Sequence, residues 1–274
     1  MIPLEIENGT ESPDHIKRRL RDIEIIAGKA DLMVKLWAEM NLELSLGRKG
    51  GPWFQGQADQ DVLAYLYFKG KREGFFLDIG AYDGKTYSNT YALEQIGWKG
   101  ICLEPLPDVF ARLRQNRLCD CYNLAMSDQS GEAADFIRAA GVETLSGLES
   151  KMASTHKDWI LREKGTVERI KVKTISFADL MGRYPGLNSI DFMSLDVEGA
   201  EMSILESIDF SAYRFGLIAV ESTDETPGES ERLRSFMGEK GYGVLLDVGL
   251  DLIFAPACRI DRGEEFPGAP VHVV

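Results

Sequence analysis

No run of about 18 apolar residues occurs in this 274-residue chain, so no membrane-spanning helix is expected. The opening MIPLEIENGTES lacks the apolar stretch of a secretory leader, and a cytoplasmic location is expected. Histidine is scarce, with His15, His156 and His272 scattered along the chain. The four cysteines, Cys102, Cys119, Cys121 and Cys258, make no C-x-x-C pair, which argues against structural zinc and for reduced thiols. Positive charge is in deficit: 31 basic side chains stand against 44 acidic ones, a net charge of -13. Most of such a surface repels a polyanion, so nucleic acid is not the expected partner. Repeats and low-complexity segments are missing as well.

What is present is apolar substance and rhythm. Apolar residues make up 44% of the chain, enough for a sizeable core. From residue 57 strand and helix signals alternate. Strands are expected over 75–80, 100–103, 120–125, 190–195 and 216–221, with helices over 58–69, 86–96, 107–116, 199–208 and 228–239. The alternation predicts an α/β fold with a doubly wound, mostly parallel sheet. YGVLLDV and LDLIFAP close the chain as two strands joined through Gly249, and place one antiparallel strand in that sheet. GEAADFIRAA and RIKVKTI read as two further strands. The segment between them, about 139–168, reads as an insertion, a usual place for a lid or substrate loop.

Residues 1–50 form a separate N-terminal arm before the domain at 51–274. Over 14–44 Ile16, Leu20, Ile23, Ala27, Ala30, Val34 and Trp37 alternate steps of four and three, the seam of a long helix. Two uses are open to that seam: packing on its own domain, or self-association. An oligomer formed through the arm is expected.

FFLDIGAYDG, residues 75–84, runs a buried strand into a glycine turn. Ligands of open α/β sheets bind at such strand ends. The spacing Gly80-x-x-x-Gly84 is not the Gly-x-Gly-x-x-Gly of dinucleotide folds, and Asp83 would face a pyrophosphate. S-adenosylmethionine has no phosphate and carries a sulfonium and an ammonium, which carboxylates favour. Glu104 ends the next strand, where an acid can accept both ribose hydroxyls.

FFLDIGAYDG, CLEPLPDVFARLRQN, NLAMSDQSGEA and SLDVEGAEMSIL, in that order, resemble the FkbM family of S-adenosylmethionine-dependent methyltransferases over about residues 54–254. The resemblance implies a seven-stranded methyltransferase sheet and methyl transfer, usually to a hydroxyl of a sugar, glycan, lipid-linked saccharide or polyketide product. It places Asp78, Gly80, Ala81 and Asp83 along the cofactor loop, Glu104 at the ribose, and Ser127 and Asp128 beside the adenine. Gln57 and Asp61, in FQGQADQDVL, reach the methionine end.

An alcohol needs help to lose its proton. Asp196, in DVEGAE, and Glu221, in AVES, end neighbouring strands and can face one acceptor. Three roles are open to these acids: ligands of a hard cation such as Mg2+, a base whose pKa its neighbour raises, or a helix cap. Capping is the reading for Glu201. His156, in the insertion, is a further candidate base, with an ordinary pKa of about 6.5. Trp159 can stack on a sugar face, and Thr144, Ser146 and Lys151 can touch the acceptor. The expectation is an O-methyltransferase acting on a saccharide or related small molecule, the alternative a non-catalytic or regulatory cofactor-binding module. The missing Asn/Asp-Pro-Pro-aromatic motif near residue 196 speaks against a nucleic acid substrate.

Overall fold

The computed structural model describes residues 34, 35, 38, 42, 53–153, 155–222 and 228–260. The helical arm expected over 14–44 lies outside them except for Val34, Lys35, Ala38 and Leu42, which are helical. Ala38 and Leu42, one helical turn apart, are fully buried in the same apolar core as Trp53, Phe54, Val62 and Leu63.

The chain begins its alternation with α1 (Gln60–Tyr67), β1 (Phe75–Ile79), α2 (Tyr91–Gln95), β2 (Lys99–Leu103), α3 (Pro107–Asn116) and β3 (Asp120–Tyr122). Pro107 opens α3 at a position that has no helical N–H bond to lose, and Val109 and Leu113 bury its inner face. α2 is shorter than the helix expected over 86–96. Residues before it are held as turns: Thr90 and Tyr91 N–H donate to Ser88 Oγ instead of opening a helix further upstream.

A second group follows: β4 (Ala125–Met126), β5 (Gly131–Ala140), a 3-10 turn (Glu143–Leu145), β6 (Gly147–Leu148), α4 (His156–Arg162) and β7 (Thr166–Ile175). The alternation then resumes with α5 (Phe177–Met181), β8 (Ser189–Leu195), α6 (Glu201–Ser207), β9 (Arg214–Glu221), α7 (Glu229–Glu239), β10 (Tyr242–Asp247), β11 (Asp251–Pro256) and α8 (Ala257–Ile260). Among the described residues no helix is long and apolar enough to cross a membrane.

Seven strands form one sheet in the order β10-β11-β9-β8-β1-β2-β3. β3, β2, β1, β8 and β9 run parallel; β11 is antiparallel to both its neighbours, as the closing hairpin predicts. The central strands are buried on both faces, which is why FFLDI and IDFMSL read as nearly unbroken apolar runs. Alternate residues divide between two cores. Leu77, Ile79, Met193, Leu195, Ile218 and Val220 fill one face; Phe76, Phe192, Leu217, Ala219 and Ile253 fill the other.

The strand expected over 120–125 divides. β3 edges the main sheet, while β4 pairs with β7 in a second, four-stranded sheet of order β4-β7-β5-β6. β5 and β7 form its long antiparallel ladder, from Gly131–Thr174 to Ala140–Thr166. The insertion between them packs its own small core of Ile137, Ala139, Leu145 and Ile160. Its first half, from the 3-10 turn to Leu148, lies over the carboxyl ends of the main strands.

Candidate active site

A cleft opens where β1, β2, β8 and β9 end and the antiparallel β11 begins. Backbone bonds clamp those ends together. The Gly80 and Ala81 N–H groups both donate to Leu103 O, at 3.1 and 2.9 Å, and Asp196 N–H donates to Ile79 O at 3.0 Å. Gly80 has φ 89°, and a Cβ there would lie 1.7 Å from Asp196 O. Only glycine allows β1 and β8 to approach this closely.

Gln57, Asp78, Gly80, Ala81, Glu104, Asp196 and Glu221 all line the cleft, and so do Thr144, Ser146 and Trp159 from the insertion. Asp78 is buried; Thr90 Oγ1 donates to its Oδ2 at 2.5 Å, and Arg117 lies 3.9 Å away. Arg117 is itself buried, and it ties the loop together by donating to Glu94 at 2.9 Å, Thr90 at 3.0 Å, Gly84 O at 3.1 Å and Ser88 at 3.2 Å. Glu104 is also buried, and its Oε1 accepts from Leu106 N–H at 2.7 Å. Burial pushes its carboxyl up to about 8, against the pull of that backbone bond. Asn89 also lines the cleft: its Nδ2 donates to Ser194 Oγ at 3.0 Å, while its Oδ1 is buried with no hydrogen-bond partner. Leu103, Leu124, Ala125, Met126 and Phe136 supply an apolar wall beside Glu104.

Other expected site residues are put to different use. Asp83 does not line the cleft. Its carboxylate accepts from Lys85 N–H, Thr86 N–H and Thr86 Oγ1 at 2.7–2.9 Å and shapes its own loop. Asp61 is fully buried under the cleft, accepting from Gln55, Gly56 and Val62 N–H at 2.6, 3.0 and 2.9 Å. It fixes the segment that carries Gln57, and burial raises its carboxyl to about 6. Ser127 donates to Asp128 at 2.9 Å, and Asp128 pairs with Lys151 at 3.3 Å; none of the three lines the cleft. His156 is 1% exposed and away from the cleft. Its Nε2 is 2.9 Å from Leu145 O and 3.8 Å from Glu198 Oε2, and Trp159 meets its ring edge-on. A histidine so enclosed braces the insertion, and it has no open path to an acceptor hydroxyl.

The floor of the cleft is acidic. Asp196, Glu198 and Glu221 each present an oxygen within 4.8 Å of the others. Asp196 opens onto the cleft but is walled by protein, and burial followed by repulsion from Asp251 raises it to about 7. Burial, then the charges of Asp196 and Glu198, push Glu221 well above the carboxylate range. The hydrogen bond between Glu221 and Asp196 lowers Asp196 and raises Glu221, so Glu221 holds the proton and donates. Glu201 accepts from Val197 and Gly199 N–H at 2.8 and 2.9 Å and holds the turn beneath.

Sequence reading missed Gln60, Asn89, Ser194 and Asp251. Asp251 is buried, takes a hydrogen bond from Gln60 Nε2, and stands opposite Glu221 in register. Its signal was an acid opening the second strand of the closing hairpin: an antiparallel strand starts where its parallel neighbours end.

Comparison with known proteins places this geometry. No curated protein matches the chain. Among solved structures, precorrin-6y C5,15-methyltransferase from Geobacter metallireducens GS-15 superposes with a TM-score of 0.40 at 11% identity, covering 76% of this chain and 92% of that one. A proposed RNA methyltransferase from Pyrococcus horikoshii gives a TM-score of 0.36 at 12% identity, covering 80% and 98%. Likenesses this slight do not bear on the reaction. The family model described as the methyltransferase FkbM domain matches residues 78–244, more than half of the chain and all of the strand ends that form the cleft except that of β11. The chain therefore belongs to the FkbM family of methyltransferases, for which the methyl donor is S-adenosylmethionine.

Proposed function

We propose that this protein transfers a methyl group from S-adenosylmethionine to a hydroxyl oxygen of a sugar, glycoconjugate or related natural product. The observation that carries the reading is the set of Asp196, Glu198 and Glu221 carboxylates, whose oxygens lie within 4.8 Å of one another on the cleft floor. The cleft also fits the cofactor. Glu104 offers a buried carboxylate for the ribose hydroxyls, beside an apolar wall suited to adenine. The unpartnered Asn89 Oδ1 is an acceptor suited to the ammonium group. Gly80, with no side chain, and Ala81, with a small one, let a ligand come close to the backbone at the same place.

When bound, the cofactor supplies an electrophilic methyl on a sulfonium. The protein's part is to align the acceptor and remove its proton. Asp196, raised to about 7, is close to neutrality in proton affinity and takes the hydroxyl proton as the O–C bond forms. Trp159, Thr144 and Ser146 offer the acceptor an aromatic face and two hydroxyls. Seven acidic residues line the cleft and, among the described residues, no Lys, Arg or His does so, which favours an acceptor without phosphates and disfavours nucleic acid. A hard cation such as Mg2+ fits the oxygens of Asp196, Glu198 and Glu221 and would lower the hydroxyl pKa there.

The test is titration with S-adenosylhomocysteine, with and without Mg2+, then methyl transfer to a panel of neutral glycans. Micromolar binding that Glu104→Ala abolishes, and transfer that Asp196→Asn abolishes, would support the reading. A folded protein that does not bind the cofactor product would overturn it, and full transfer by Asp196→Asn would remove the base from Asp196. Binding with no transfer to any hydroxyl would favour a cofactor-binding module.

A further inference from the structure

The fold gathers three of the four thiols behind the cofactor cleft. Cys102 lies on β2 and is fully buried; Cys119 just precedes β3, Cys121 lies within it, and both are half-buried. Cys102 Sγ is 3.5 Å from Cys119 Sγ, and Cys119 Sγ is 4.0 Å from Cys121 Sγ. Cys102 and Cys121 are register partners on adjacent strands. In sequence 16 residues separate Cys102 from Cys119, so pairing was not legible there. None of the three lines the cleft.

The cluster has the parts of an oxidation site. Burial raises the Cys102 thiol, Cys119 is raised as well, and only Cys121 is lowered; the buried Arg117 guanidinium pulls all three towards the thiolate as a smaller effect. Hydrogen bonds with Cys102 and then Cys119 hold Cys121 well below the usual thiol range, and as a thiol it donates to Cys119 O at 3.4 Å. It is also part-exposed, so it can meet a small oxidant. Cys119 sits between the other two and is the one sulfur close to both.

We propose that Cys102, Cys119 and Cys121 form a reversible oxidation site for a small peroxide, ending in a Cys102–Cys119 disulfide. The Cys121 thiolate attacks one peroxide oxygen; an S–O bond forms, the O–O bond breaks, and the departing oxygen leaves as water or alcohol. Cys119 then displaces the sulfenic oxygen as water, forming Cys119–Cys121. Cys102, at 3.5 Å, attacks the Cys119 sulfur and releases Cys121 as thiolate. In total two thiols give up two hydrogens and the peroxide is reduced. A small-molecule thiol reverses the change.

The bond ties β2 to β3 beside Arg117, which lies 3.9 Å from Asp78 and holds the Gly84–Thr90 loop. Oxidation therefore reaches the cleft by shifting the guanidinium. That second link rests on the cofactor reading of the cleft.

The experiment is peptide mapping of the full-length protein after hydrogen peroxide at low excess, with and without later dithiothreitol. The expected product has lost two hydrogens, joins the Cys102 peptide to the Cys119 and Cys121 peptide, and returns to thiols on reduction. Cys121→Ser should form the same link several-fold more slowly, and Cys119→Ser should leave Cys102 as a thiol. Cys258, exposed and remote in sequence, is the control. Absence of the Cys102 link in the parent protein, or its persistence in Cys119→Ser, would overturn the site. Titration of the oxidised and reduced forms with S-adenosylhomocysteine should show several-fold weaker binding on oxidation. Equal affinities would overturn the link to the cleft. No binding by the reduced form would count against the cofactor reading and leave the disulfide result standing on its own.

Discussion

A buried carboxylate must be useful to be kept, because burial works against its charge. Glu104 is such a residue, pushed to about 8 with one backbone donor to steady it. Hydrogen bonds to a charged acceptor contribute about 1.5–3 kcal/mol. Glu104→Gln, which keeps the shape and cannot ionise, should weaken S-adenosylhomocysteine binding by about tenfold to a hundredfold by that measure, seen in calorimetric titration at a pH above the Glu104 value of about 8. Asp196 answers differently. Asp196→Asn removes the base and leaves the ribose site, so cofactor affinity should hold while the methyl-transfer rate falls by about 10²–10⁴. A variant that lost affinity and rate together would instead make Asp196 part of the cofactor cradle.

Elements carry the next set of claims. Gly80 lets β1 pass against β8; Gly80→Ala puts a Cβ 1.7 Å from Asp196 O at φ 89°. Such a clash with backbone, added to the left-handed strain, should lower unfolding free energy by about 2–4 kcal/mol in denaturant titration. Trp159, on α4, reaches the cleft from the insertion. Trp159→Ala should raise the KM for acceptor about tenfold, the loss of an aromatic stacking face, with cofactor affinity unchanged. At this scale the sequence was informative where a period repeats. β1, β2, β8 and β9 were visible as apolar runs, and the hairpin was visible through Gly249, because strands buried on both faces leave little freedom in composition. The second sheet was not visible. GEAADFIRAA and RIKVKTI show strands but not partners, and pairing across about 30 residues is a property of the folded chain. The same limit explains Asp61 and His156. Type and spacing fit ligand contact, but where the side chain points depends on backbone donors at Gln55 and Gly56, and on the Leu145 carbonyl. Asp251 escaped because its importance comes from the antiparallel turn of β11.

For the whole molecule, the gathering of three buried acids and the cleft-facing Asp196 sets how stability responds to pH. Folding raises Asp61 from 3.8 to about 6, Glu104 from 4.5 to about 8, Asp196 from 3.8 to about 7 and Glu201 from 4.5 to about 7, with burial the largest cause in each. Below about pH 4 both folded and unfolded chains hold these protons, and the groups contribute nothing. As pH rises, the unfolded chain releases them first, so the folded state binds more protons and loses stability. The loss is complete once pH passes the folded values, near 8. The cofactor-free protein should therefore melt several degrees lower at pH 8 than at pH 5.5, given about 2–4 °C per kcal/mol for a chain of this size. Glu104→Gln is neutral at every pH and should flatten part of that slope, melting higher than the parent at pH 8, with the difference vanishing as pH falls below the unfolded value of 4.5. A cationic ligand reverses the balance, since it binds the ionised acids. S-adenosylmethionine should raise the melting temperature more at pH 8 than at pH 5.5, and more than S-adenosylhomocysteine, which lacks the sulfonium. Differential scanning calorimetry across the window checks all three. A cofactor-free melting temperature that rises steadily from pH 5.5 to 8, with Glu104→Gln parallel to the parent, would mean that these acids are not the groups that set the stability of the fold.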